Sequence, residues 1–220
     1  MPVLTVGTDE RKCKSVTSER LARITLGPPP TPLNGPVRLV DFDPSWPLLF
    51  EKEKKRIGSA LGDKAIMIEH VGSTSVPGLA AKPNIDILLV VENSADEKSY
   101  IPALESVGYI LRIREPEWHE HRMFRGPDTS VNVHVFSRSD VEIERMLGFR
   151  DWLRTHPDDR DLYERTKKEL AGRTWEYTQD YADAKSKIVE SIIKRAKASK
   201  RVRHQLAPGF AQRGRDITRA

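Results

Sequence analysis

The sequence predicts an α+β fold: a mixed β-sheet flanked by helices, with a helical part appended at its C-terminal end. Three observations predict it. Short apolar runs of strand length alternate with helical and turn signals across residues 37–137. After Ser139-Asp140 the apolar period changes from two to 3.6 and keeps that period through 140–197. The chain has 220 residues, 38% of them hydrophobic, enough for one sizeable core or two small ones.

Residues 1–36 read as a leader without a fold of its own, because Gly27-Pro28-Pro29-Pro30-Thr31-Pro32 suits neither a helix nor a central strand. Order begins near Val37, with Val37-Arg38-Leu39-Val40 as a short strand. Asp43-Pro44 is a helix start, an acidic cap followed by proline. Leu49, Phe50, Ile57, Ala60 and Leu61 then recur at helical spacing until Gly62-Asp63. Strands follow at Ile66–Val71 and Ile85–Val91, with a helix over Ser94–Val107 stopped by Gly108. Tyr109–Ile113 is a further strand. Arg122–Arg125 and Val131–Phe136 form a strand pair joined by Gly126-Pro127-Asp128-Thr129, a strong turn signal. Ile143, Met146, Leu147 and Leu153 mark a helix that stops before Pro157, and a second helix covers Pro157–Ala171. Tyr177, Tyr181, Ala184, Lys185, Ile188 and Ile192 place a third on one apolar stripe, read as core. The sheet part is thus 37–137 and the helical part 140–197.

Composition narrows the classes. No apolar run reaches transmembrane length, and the charges at Asp9, Glu10, Arg11 and Lys12 do not precede a signal-peptide core. One cysteine, Cys13, cannot form an internal disulfide; a reducing cytoplasm is the simplest placement. The net charge of +5 is not spread over the fold. From Lys194 to Ala220 nine Lys/Arg and one Asp give +8, leaving 5 − 8 = −3 for the rest. The basic stretch 198–220 reads as a solvated tail. A nucleic-acid arm is the alternative, but it lacks interleaved aromatics for base stacking.

The chemistry concentrates between His70 and Val91. A strand delivers the chain to Gly72-Ser73, a loop with two prolines and Lys82 follows, and Asp86 opens the next apolar run. Glycine after a strand permits close approach to a ligand, and Ser73, Thr74 and Ser75 add hydroxyls. Asn84 and Asp86 alternate and so share one strand face. A carboxylate beside a phosphate-cradling turn suits a nucleoside triphosphate with Mg²⁺, the metal being held by Asp86, Asn84 and Glu69. A plain strand-to-loop turn is the other reading of Gly72-Ser73.

This pattern resembles the nucleotidyltransferase-fold superfamily, whose signature is a Gly-Ser turn followed by an acidic-x-acidic strand. More narrowly the sequence resembles the GrpB (UPF0157) family. The matching residues are Asp43-Pro44-Ser45-Trp46, the block from Ile68 to Pro83, Ile85-Asp86-Ile87, Asn132 to Phe136, Phe149 to Pro157, Tyr163 with Lys167, and Tyr181 with Ala184-Lys185. They span 38–195. The resemblance implies the fold, and for active members of the superfamily a third carboxylate on a later strand. Here Val131–Phe136 offers Asn132 and His134 on one face and no acid, so His134 becomes the candidate base or ligand. A buried, hydrogen-bonded histidine is the alternative. GrpB-like domains also occur fused to the enzyme that phosphorylates dephospho-coenzyme A, but no Gly-x4-Gly-Lys-Ser/Thr motif occurs here.

Two expectations about function follow. The first is an enzyme that transfers a nucleoside monophosphate from a triphosphate to a small-molecule acceptor with Mg²⁺. Gly72, Ser73, Thr74, Ser75, Lys82, Arg122 and Arg125 would hold the phosphates, with Asp86 and His134 catalytic. The second is a nucleotide-binding or partner module that keeps the fold without a full carboxylate set. His119 and His121 alternate, but two histidines alone do not make a metal site. Arg150, Asp151, Arg154 and His156 would either close over the cleft or form a solvated ion-pair face.

Overall fold

The computed structural model describes the backbone of residues 10–128 and 130–205, and the side chains of 17–128 and 130–199. Residues 1–9 and 206–220, most of the basic tail, lie outside them. The first helix, α1, spans Glu10–Ile24, and α2 spans Ser45–Leu61. Five strands follow: β1 Met67–Val71, β2 Ile85–Val91, β3 Ile110–Glu115, β4 His121–Arg125 and β5 Val131–Ser137, with the short α3, Ile101–Ser106, before β3. The C-terminal helices are α4 Val141–Thr155, α5 Pro157–Ala171, α6 Thr178–Ala184 and α7 Ser186–Gln205. The sheet order is β1-β2-β5-β4-β3. β2 and β5 are parallel, and the other neighbours are antiparallel. The expected mixed sheet with appended helices is the observed architecture.

Several local expectations give way. Helical backbone begins well before residue 37: Leu21 on α1 is buried, and Thr25 bridges to Ile113. Val37–Val40 is not a strand; Val40 makes a single bridge to Ala81. The helix expected over Ser94–Val107 shrinks to α3. The Ser94 amide and hydroxyl are taken instead by the Ser137 hydroxyl, at 2.9 and 2.8 Å, and a short 3₁₀ turn occupies Glu97–Ser99. The last long helix breaks at Lys185 into α6 and α7.

Strand parity sorts the side chains onto two faces. Ile85, Ile87 and Leu89 of β2, with Val131, Val133 and Val135 of β5, form the main core with Trp46, Phe50 and Ile57 of α2. The opposite face carries Asp86, Leu88 and Val90 beside their register partners Asn132, His134 and Phe136. Leu88, Val90 and Phe136 are sealed by Ile143, Met146 and Leu147 of α4. Because β2 and β5 run in the same direction, their polar beginnings, Asp86 and Asn132, meet at one end of the sheet, beyond the cover of α4.

The turn leaving β1 is fitted to that end. Gly72 has φ of 70° and ψ of −171°, a backbone state that L side chains rarely adopt. A Cβ built there would lie 2.6 Å from Asp86 Oδ2. The bare backbone therefore lets the chain pass directly against the carboxylate. The Gly72→Ala variant meets both the conformational penalty and the contact. It is expected to lose about 1–3 kcal/mol in urea denaturation and to displace Asp86; an unchanged midpoint would contradict this packing.

Candidate functional site

A cleft of about 290 Å³ opens between the polar end of the sheet and the C-terminal helices. The sheet and its loops supply Ser73, Thr74, Lys82, Asn84, Asp86, Asn132 and His134. The helical side supplies Lys167 from α5, Tyr181 from α6 and Lys185 from the α6–α7 junction. Most of the residues singled out from sequence are thus brought to one place.

Their hydrogen bonds divide them by role. Asn84 Nδ2 donates to Asp86 Oδ1 at 2.6 Å, and Asn132 Nδ2 donates to the same oxygen at 3.2 Å. The Asn84 side-chain oxygen accepts from Ser130 Oγ at 2.8 Å. Thr74 Oγ1 donates to the Asn84 carbonyl at 3.1 Å, and Ser75 Oγ donates to the Gly72 carbonyl at 2.6 Å. Those two hydroxyls hold the turn rather than a ligand. Ser73 Oγ accepts from Lys167 Nζ at 3.1 Å and lines the cleft beside the Tyr163 hydroxyl.

Three lysines share this space with one carboxylate. Lys82 stands at the mouth, open to solvent. Lys167 is 1% exposed, donates also to the Ala80 carbonyl, and lies over the Tyr163 ring at 4.8 Å. Burial, reinforced by the charge of Lys185, lowers its pKa to about 7. Lys185, 4.4 Å from the Tyr181 ring centre, is also lowered by burial, while Asp86 opposes that shift. The Tyr181 hydroxyl is buried and, among the described residues, has no hydrogen-bond partner. A buried hydroxyl without a partner costs roughly 1–3 kcal/mol, and this one lines the cleft.

The sequence reading missed Lys167 and Lys185 as site residues and assigned Tyr181 and Lys185 to core. The available signal was an ionisable residue on an otherwise apolar helical stripe. Of the residues expected at the site, Gly72, Ser75, Glu69, Arg122 and Arg125 do not line the cleft, and Gly72 and Ser75 only build the turn beside it. Glu69 accepts from Arg150 Nη1 at 2.7 Å beneath α4. Arg122 is buried and donates through Nε to Glu97 at 2.6 Å, with Glu120 also close. Arg125 shares the Asn132 register and its charge reaches Lys82, so it stands near the rim. Arg150 and Arg154 do not close over the cleft. They pin α4 to the turn, donating to the carbonyls of His70 and Ser75 at 2.9 and 2.8 Å.

The donor set does not fit a Mg²⁺ ion held by the protein. The cleft has one carboxylate, Asp86, one of whose oxygens already accepts two amide N–H groups, and Asn84 turns its amide nitrogen toward it. Among the described residues no group of three or more His, Cys, Asp or Glu could hold a metal ion. Magnesium is usually held by one or two carboxylates together with substrate phosphates, so Asp86 alone would hold no ion without a bound phosphate compound. Desolvated ammonium groups and an unpartnered phenol instead match an anion with several oxygen acceptors. Among the described residues, no helix is long and apolar enough to cross a membrane.

Comparison with known proteins gives a consistent result. A family model described as GrpB protein matches residues 36–195. The chain is 60% identical over 183 residues to a UPF0157 protein of Halalkalibacterium halodurans, covering 83% of this chain and 93% of that one. The crystal structure of the conserved protein GrpB from Enterococcus faecalis superposes with a TM-score of 0.61 at 31% identity, over 72% of this chain and 98% of that one. A dephospho-CoA kinase of Mycolicibacterium paratuberculosis is 30% identical over 164 residues, which cover 63% of this chain and 40% of that protein.

One residue beside the cleft gives a pH signature. His70 is buried, stacks on Phe50 at 4.9 Å, and contacts Thr74 Oγ1 through Nε2 at 3.0 Å. Thr74 spends its own proton on Asn84, so the neutral ring donates Nε2–H. Burial, with Arg154 and Arg150 adding to it, lowers the His70 pKa from 6.5 to about 4. The unfolded chain therefore binds more protons between those values. The stability from neutral His70 is fully present above pH 6.5 and is lost as pH falls toward 4, on the order of 3 kcal/mol in all. Thermal melts of wild type and His70→Gln from pH 7.5 to 4.5 are expected to converge as pH falls; parallel curves would contradict the assignment.

Proposed function

The chain belongs to the GrpB family, and on that premise we propose that its cleft binds a phosphorylated small molecule, with nucleotides the favoured class. The observation that carries this reading is the convergence of Lys82, Lys167, Lys185 and the unpartnered Tyr181 hydroxyl on the turn that begins at Gly72. Partly desolvated ammonium groups are costly without a counter-charge, and Asp86 supplies only one. A phosphoryl group would complete the balance. Lys167 and Ser73 would hold its oxygens, Tyr181 would donate from the helical side, and Lys82 would follow the charge at the mouth. A volume near 290 Å³ is at the small end for ligand pockets. It suits phosphoryl groups and a sugar-sized body, with any base reaching out through the mouth.

Nucleotidyl transfer with Mg²⁺ is the second reading. It is favoured by the contact of the Gly72 backbone with Asp86 and by His134 beside that carboxylate. In it Asp86 would offer one carboxylate oxygen to an ion brought with the nucleotide, and the ion would supply charge neutralisation at the phosphates. The chain's own residues would position the phosphates and accept a proton from the acceptor. The fusion to dephospho-CoA kinase in one relative keeps a partner role within the same binding reading.

A thermal-shift series separates these readings. Nucleoside mono- and triphosphates and inorganic pyrophosphate are added in EDTA, then with Mg²⁺ or Mn²⁺. Binding is expected in EDTA, since a ligand that prefers the native state stabilises it by about 2.7 kcal/mol at a hundred times its Kd. Lys167→Met and Lys185→Ala should abolish most of the shift, and Asp86→Asn should preserve or enlarge it. A shift that needs both the metal and Asp86 would favour transfer, and no shift with any phosphate compound would defeat the proposal.

The cleft should also respond to pH. Lys167 carries its ammonium below about pH 7 and loses it above. Phosphate-compound affinity is expected to fall between pH 7 and 9 in wild type. In Lys167→Met it should be weak and nearly flat across that range, as read by calorimetric titration.

A further inference from the structure

The cleft is the end point of a buried chain of side chains that crosses the sheet. His121 Nδ1 lies 2.9 Å from Glu115 Oε2, and His121 Nε2 lies 3.1 Å from His134 Nδ1. His134 Nε2 then faces the cleft, 3.8 Å from Asp86 Oδ1. Arg20 of α1 closes the far end, its Nη2 3.2 Å from Glu115 Oε1. The elements fix this geometry. Glu115 and His121 are register partners on β3 and β4, and His121 stacks on both His134 and Phe136, at 5.3 and 5.0 Å. The hairpin that joins them holds His119 and Glu120 at positive φ, 56° and 47°, a cost of about 1–2 kcal/mol each. Trp118 packs edge-on against both His119 and His121 and holds that turn.

We propose that Glu115 and His121 are positioning residues that fix His134 in the Nδ1–H tautomer, so that its unprotonated Nε2 is a proton acceptor pointed into the cleft. The argument is one of donors and acceptors. Ionised Glu115 can only accept, so His121 Nδ1 carries a hydrogen. A neutral His121 then has a bare Nε2, which must accept from His134 Nδ1–H. His134 Nε2 is left bare. The charged groups facing the chain are Arg20 from α1, Arg122 on β4, and Asp86 on β2, with Lys82 and Lys185 across the cleft. Burial pushes His121 down, with His134 and Arg122 acting in the same direction against Glu115, which favours the neutral ring. Burial alone would lift the Glu115 carboxyl, but His121 and Arg20 outweigh it and hold it below the usual carboxylate range.

The consequence is a class of ligand group, which rests on the binding reading above. Nε2 is a bare acceptor 3.8 Å from Asp86 Oδ1, an oxygen whose lone pairs are already engaged by the Asn84 and Asn132 amides. The ligand atom that meets Nε2 carries hydrogen, as a hydroxyl or amine does, while the phosphoryl oxygens lie toward the lysines. The cleft would thus take a phosphorylated molecule by both ends, anion at one and donor at the other.

The test is the ring nitrogen shifts of ¹⁵N-labelled, ligand-free protein, read at a pH where both rings are neutral. This needs no ligand, so its outcome is independent of whether nucleotides bind. His121 and His134 are expected to show protonated Nδ1 and bare Nε2. In His121→Phe, His134 loses its acceptor and should revert to mainly Nε2–H, the form a free imidazole prefers. A wild-type His134 that is already Nε2–H, or an unchanged tautomer in folded His121→Phe, overturns the proposal. If His121→Phe does not fold, the wild-type spectrum alone decides.

Discussion

The site depends on the missing side chain at residue 72. Asp86 is the first acidic position of a strand otherwise buried on both faces, and the end of β1 must pass beside it. With any Cβ at 72 the carboxylate and the turn could not share that space. Without one, the turn folds against Asp86, Thr74 binds the Asn84 carbonyl, and Ser73 is set within reach of Lys167 from a helix 94 residues later. The carboxylate in turn moderates the cations around it, favouring the charged state of Lys185. Removing either element leaves the other poorly placed.

The buried polar groups form two linked systems with different tasks. At the base of the turn, His70, Thr74 and Asn84 are joined by neutral hydrogen bonds that rigidify it. On the cleft side the buried Tyr181 phenol is left without a partner among the described residues. Fully satisfied networks fix a structure, whereas partly satisfied ones carry a free-energy cost that a bound group can relieve.

Legibility in the sequence followed the strength of local signals. β2 and α5 have the expected bounds, since a continuous apolar run and a Pro157 start admit few alternatives. The N-terminal helix was hidden by the proline run that follows it, and α3 was overextended because Ser94, the expected helix start, bonds across to β5. Within the site, the Gly72–Asp86 spacing and the Asn84–Asp86 alternation could be read directly. The parity of a strand could have separated Arg122 from Arg125, which lie three apart and face opposite sides. Glu69 could not be excluded, because its partner Arg150 is 81 residues away. Lys167 and Lys185 became site residues only through tertiary packing. A lysine on an apolar stripe is equally consistent with a stem lying along a core and its head in water.

The break between α6 and α7 gives the cleft a mechanical character. Lys185 and Tyr181 ride the helical half, while Asp86, Asn132 and His134 belong to the sheet, so no single cooperative segment of the chain owns the site. A molecule gripped from both sides acts as a tie across the seam. Fluctuations that part the helices from the sheet empty the cleft, and filling it suppresses those fluctuations. Occupancy and cohesion of the two halves are therefore one equilibrium seen from two directions.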